Sequence, residues 1–114
     1  MKLEDIAKEL GFTELTPDVT GNREAEIDRG YASDLLSDVL AHACPGVLWV
    51  TIQTHHNVIS VASMKDIAAV LITCGRRPDA AVLAEAKSNG LTILTTPLGT
   101  FAAAGRLWEA GLKD

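Results

Sequence analysis

The sequence predicts an α/β fold: a single-domain sandwich over residues 1–114 with a mainly parallel sheet flanked by helices. Two observations predict it. Three short apolar runs, Val47 to Ile52, Ala69 to Thr73 and Leu91 to Thr95, are continuous rather than alternating, as expected of strands covered on both faces. Each run is followed by a helical pattern, so strands and helices alternate along the chain. The size agrees, because 114 residues with 47% hydrophobic and 22% charged content suffice for one core and leave little room for a second.

The elements follow in order. Leu3, Ile6, Ala7 and Leu10 recur at helical spacing in MKLEDIAKELG and predict a first helix. A polar region, Thr13 to Asn22, comes next, and the mixed pattern of Ala25 to Tyr31 suggests a half-exposed strand. Ser33 is positioned as an N-cap for a helix over Asp34 to Ala43, whose Leu35, Leu36, Val39, Leu40 and Ala43 share one face; Pro45 and Gly46 end it. The first apolar run, Val47 to Ile52, is a buried strand. For Asn57 to Met64 the β-branched Val58, Ile59 and Val61 suit a strand. The spacing of Val58, Val61 and Ala62 favours a helix, as does the roughly dozen residues that a crossover between parallel strands requires. After the strand at 69–73, Pro78 and Asp79 start a helix that Asn89 and Gly90 stop. After the strand at 91–95, Thr96 and Pro97 start another that Gly111 stops. Sixteen alanines suit helices lying close against a sheet.

Composition excludes several functions. No apolar run approaches the roughly 20 residues of a membrane helix. The N-terminus mixes Lys and Glu with apolar residues, unlike a secretory signal, so the expected location is cytoplasmic. Net charge is −5 and the basic residues are scattered, which argues against nucleic acid as a partner. Cys44 and Cys74 form no CxxC pair, and reduced, structural thiols are expected.

Polar clusters follow all four expected strands: Tyr31, Ser33 and Asp34; Gln53 to Asn57; Gly75, Arg76 and Arg77; and Thr95, Thr96 and Thr100. Ligands of open parallel sheets bind beyond the carboxyl ends of the strands, where helix N-termini offer amide donors. One shared ligand edge is therefore expected, with Ser33, Asp34, Thr54, His55, Asn57 and Arg76 as the binding residues. The plainer alternative has polar loops with Ser33, Thr54 and Thr96 acting only as helix caps. Asp34 would repel a phosphate and should face a sugar, a base or a cation.

Sharper chemistries fare worse. His42, Cys44, His55 and His56 have no familiar zinc spacing, so no metal or other cofactor is assigned. Ser33 and Asp34 lack the GxSxG elbow of a hydrolase. His42 reads as a helix-surface residue, and Trp49 and Trp108 as packing residues.

GYASDLLSDVLAHA at 30–43, WVTIQTHHN at 49–57 and RRPDAAVLAEAKSNGLTILTT at 76–96 make the chain resemble the small DRTGG-domain proteins over nearly its whole length. The string that gives the family its name is not kept; the region retains Arg23, Arg29 and Gly30. The family is also similar to the N-terminal domain of HPr kinase/phosphorylase and, more distantly, to the first domain of the Mur ligases. The resemblance implies the fold and not kinase activity, because no GxxxxGK[ST] phosphate cradle occurs. In larger members the domain accompanies nucleotide-sensing CBS domains, which implies a regulatory and subunit-contact role.

Three functions follow. The first is a regulatory, ligand-sensing module, not an enzyme, that binds an adenine nucleotide or other small anion and forms a homodimer; apolar helices with Phe101, Ala102, Ala103, Ala104 and Leu107 leave surface to cover. The second is a small enzyme using Asp34 and His55 as an acid/base pair. The third is a pure protein-interaction domain.

Overall fold

The computed structural model describes residues 1–19, 21 and 23–114. Five helices and five strands run in the order α1 (Leu3–Leu10), β1 (Thr13–Glu14), β2 (Gly30–Ala32), α2 (Leu36–His42), β3 (Leu48–Thr51), α3 (Asn57–Met64), β4 (Ala69–Ile72), α4 (Ala80–Ser88), β5 (Thr92–Thr95) and α5 (Thr100–Glu109) among the described residues. The sheet order is β1-β5-β4-β3-β2. Strands β2 to β5 are parallel, and β1 is antiparallel to β5.

The continuous apolar runs become the sheet's centre. Every residue of β3, β4 and β5 is buried. Because side chains alternate across a strand, each run supplies two cores. Trp49, Val70, Ile72 and Ile93 face a layer that includes Val39 of α2, Val58 and Ala62 of α3, and Val82 and Ala86 of α4. Leu48, Val50, Ala69, Leu71 and Leu94 face Leu3, Ile6 and Ala7 of α1 and Ala103 and Leu107 of α5. Helices thus cover both faces, three on one and two on the other.

Five expectations are corrected. The half-exposed strand at 25–31 shrinks to Gly30–Ala32, since the backbone before it pairs with the chain ends instead: Leu3 donates to Ala25 O, Ile27 to Met1 O and Lys113 to Asp28 O. β1 was not expected; it forms because β5 has a free edge there, and Leu15 N continues the pairing to Ile93 O at 2.8 Å. Ser33, Thr54 and Thr96 cap no helix. The residues preceding α2, α3 and α5 are Leu35, His56 and Gly99, none of which makes a side-chain cap bond. The hydroxyls of Ser33 and Thr96 instead accept the amides two residues on, Leu35 N and Leu98 N, each at 3.2 Å, making short turns ahead of the helices. Ala103 and Leu107 are core residues rather than spare surface. Trp108 is 51% exposed rather than packed, with the Lys113 ammonium 4.2 Å from its ring centre. Asp79 does start α4 as expected, its carboxylate accepting Val82 N at 3.0 Å.

Candidate ligand site at the strand ends

Since β2 to β5 are parallel, the four polar clusters all follow carboxyl ends of strands along one edge of the sheet. The edge is held by a lattice of short bonds. Beyond β2, Ser33 N donates to Val50 O and the indole Nε1 of buried Trp49 donates to Ser33 O at 2.9 Å. Asp34 then reaches the end of β3, where its Oδ1 accepts both the hydroxyl of Thr51 (2.9 Å) and the amide of Ile52 (2.8 Å). Gln53 Nε2 returns to Asp34 O at 3.1 Å. The Asp34 carboxylate therefore fastens the β2 and β3 ends together.

At the start of α3, His55 Nδ1 accepts the amide of Asn57 at 3.2 Å, which fixes the imidazole as an acceptor at that nitrogen. Its ring lies 4.1 Å from that of His56, tilted by 36°. His55, His56 and Asn57 are all exposed. Thr54 is half-buried beside them.

After β4 the chain makes a tight turn, with Cys74 and Gly75 both left-handed (φ 62° and 68°) and Arg76 N closing on Thr73 O at 3.2 Å. Gly75 is the residue that this conformation demands; Cys74 adopts it at a strain of about 1 kcal/mol. Three further bonds lock the turn to the end of β5: Cys74 N to Leu98 O, Gly75 N to Thr96 O, and the Thr95 hydroxyl to Arg76 O at 2.8 Å. The Thr73 and Thr100 hydroxyls meet at 2.7 Å. A rigid scaffold thus carries Arg76 and Arg77, both exposed and neither in an ion pair among the described residues. Unpaired guanidinium forks suit phosphate or carboxylate.

Four of the six expected residues, Thr54, His55, Asn57 and Arg76, lie beyond β3 and β4, which are adjacent in the sheet. Asp34 and Ser33 lie one strand further and are engaged in the edge itself. No hydrogen bond joins Asp34 to His55 among the described residues. Cys44 and Cys74 are exposed and unpaired with each other, so neither serves the core. No group of three metal-ligating side chains gathers among the described residues.

Two features escaped the sequence reading. The left-handed turn at Cys74–Gly75 was signalled by the glycine. A relay on β2 and α2 was signalled only by the four-residue spacing of Asp38 and His42. Tyr31 OH donates to Asp38 Oδ2 at 2.8 Å, and Asp38 Oδ1 meets His42 Nδ1 at 3.1 Å. The bond from Tyr31, with help from Ser33 and His42, holds the Asp38 carboxyl below its usual range; the same bond pushes the Tyr31 phenol up. His42 itself is on the helix surface, as expected.

A cleft of about 560 Å³ beside α1 is lined by three carboxylates, Glu4, Asp5 and Glu14, against Lys8 and an Arg23 already paired to Glu14. Its acidic walls suit an anion poorly. No helix is long and apolar enough to cross a membrane among the described residues.

The chain is similar to a solved structure, that of the CBS and DRTGG domains of the regulatory region of Clostridium perfringens pyrophosphatase complexed with its activator, diadenosine tetraphosphate. The TM-score is 0.67 at 15% sequence identity, over 91% of this chain and 44% of that one. The chain thus spans less than half of that structure's length, and at this identity the likeness is one of fold. It is a different setting from the HPr kinase domain that the sequence resembles. No curated protein matches the sequence. The DRTGG domain family does match, over residues 19–110, which takes in every strand from β2 onward, all four strand ends of the edge and α5. The chain belongs to the DRTGG domain family.

Proposed function

We propose that this domain is a regulatory, ligand-sensing module that binds an adenine nucleotide or similar small anion at the strand-end edge, catalyses nothing, and self-associates. The observation that carries the reading is the pair of unpaired arginines, Arg76 and Arg77, fixed on a bonded turn after β4, while the exposed His55 and Asn57 follow its neighbour β3. The guanidinium forks take the phosphate, while the imidazoles and the Asn57 amide contact the base or sugar. The nucleotide bound to the regulatory region that shares this fold supports the ligand class. Asp34 acts here as a brace between strand ends rather than as an acid or base, since both of its contacts at Oδ1 are structural.

The test is a thermal melt against a panel of adenine nucleotides and inorganic phosphate. A ligand at 100 times its dissociation constant stabilises the fold by about 2.7 kcal/mol, a shift of several degrees for a domain this small. Arg76→Ala and His55→Ala should lose most of that shift while melting normally without ligand. An unshifted native protein at millimolar nucleotide would put the interaction-domain reading ahead. Incubation with HPr, ATP and magnesium should yield no phosphoserine; phosphorylation abolished by a substitution in this chain would overturn the non-catalytic reading.

A further inference from the structure

Helix α5 presents one apolar stripe away from the core. Phe101 is 94% exposed and Trp108 is 51% exposed, and between them lie Ala104 and Gly105 at helical spacing. Trp108 and Ala104 also wall a groove of about 80 Å³ whose far side is Ala32 on the edge strand β2 and Val50 on its neighbour β3, with Lys113 and Asp114 at its rim. A phenyl ring held in water at a helix start gives the single protomer nothing.

Gly105 is equally unexplained by the protomer. Its φ is not left-handed, and a Cβ built on it would meet nothing within 4 Å. A helical glycine costs about 1 kcal/mol relative to alanine, so its merit lies in letting another backbone come close.

The spacing identifies that backbone. Phe101 and Trp108 are placed symmetrically about the midpoint between Ala104 and Gly105. An antiparallel copy of the same helix, related by a twofold axis through that midpoint, sets each Phe101 against the other copy's Trp108 while the small residues meet at the axis. This is the self-complementarity that an isologous interface requires. Area points the same way. Two Phe101 and two Trp108 rings supply on the order of 600 Å². The surfaces of Ala102, Ala104, Gly105 and the groove bring the total toward the roughly 1,000 Å² of a specific interface.

We propose that a second copy of this chain covers this face through an antiparallel α5–α5 contact, with Phe101 of each copy packed on Trp108 and the adjoining groove of the other. The proposal rests on the self-association stated above and adds the face that makes it.

Sedimentation velocity across micromolar concentrations tests it. The native protein sediments as a dimer. Phe101→Ser raises the dissociation constant by about 100-fold, because the truncated ring occurs twice in the interface. Gly105→Arg dissociates the pair although the new side chain meets nothing inside the protomer, and circular dichroism confirms that both variants remain folded. Met64→Ser, which removes an exposed apolar side chain on α3, leaves the dimer intact. A native protein that stays monomeric overturns self-association as a whole. A dimer that survives Phe101→Ser and Gly105→Arg, or that Met64→Ser also dissociates, overturns the α5 contact and leaves self-association standing.

Discussion

Replacing Asp34 by alanine removes an acceptor that two groups at the end of β3 share. The Thr51 hydroxyl is fully buried in a residue 0% exposed, and it donates to Asp34 Oδ1 at 2.9 Å; the Ile52 amide donates to the same oxygen at 2.8 Å. A bond to a charged acceptor contributes about 1.5–3 kcal/mol when desolvated. Asp34 is exposed and water replaces it at Ile52, so most of the loss comes from the buried Thr51 hydroxyl. The expected cost is about 2 kcal/mol, close to the penalty for leaving one buried donor unsatisfied. For a domain of this length that lowers the melting temperature by about 8 °C. A double-mutant cycle with Thr51→Val isolates the contact: in the Thr51→Val background, Asp34→Ala should cost distinctly less. An Asp34→Ala protein that melts with the native one, or a cost unchanged by Thr51→Val, would refute the bracing role.

The Thr92 hydroxyl is buried with no hydrogen-bond partner among the described residues, so Thr92→Val, which keeps the shape, should raise the melting temperature by about 4 °C; a drop would mean the hydroxyl is satisfied. Asp79→Ala removes the cap of α4 and should cost about 1 kcal/mol in denaturant unfolding, with no loss of ligand response. The Tyr31–Asp38 bond gives a two-sided pH dependence. Asp38 has a lowered folded pKa, so its contribution is present above the ordinary carboxylate value and is lost as pH falls through the lower folded one. Tyr31 has a raised pKa, so its contribution is present below its ordinary value and is lost as pH rises through the higher folded one. Melts of the native protein and Tyr31→Phe should therefore differ most at intermediate pH and converge at both extremes; a constant gap would contradict this assignment.

The central strands were legible because burial on both faces leaves a continuous apolar run, and Trp49, Val70 and Ile93 could sit nowhere else. The helices between them followed from the length a parallel crossover needs and, for α4, from Asp79. β1 was not legible, since Thr13 and Glu14 carry no strand signal and are a strand only because β5 offers them an edge. The capping expectations failed for a local reason: the Ser33 and Thr96 hydroxyls were spent on turns, and the helices began three and four residues later, at Leu36 and Thr100. The shared edge could be anticipated from strand order alone. Its rigidity could not, because the bonds that fix it join residues far apart in the chain, such as Asp34 with Thr51 and Thr73 with Thr100.

The central claim is that a small anion is recognised where the β3 and β4 ends meet, and amide chemical shifts of the isotope-labelled protein titrated with ATP, AMP and inorganic phosphate test it most directly. The account predicts saturable shifts at residues 53–57 and 74–77, larger for the nucleotides than for phosphate and abolished by Arg76→Ala. Shifts confined to the acidic cleft around Glu4, Asp5 and Glu14, or none at millimolar ligand, would contradict it.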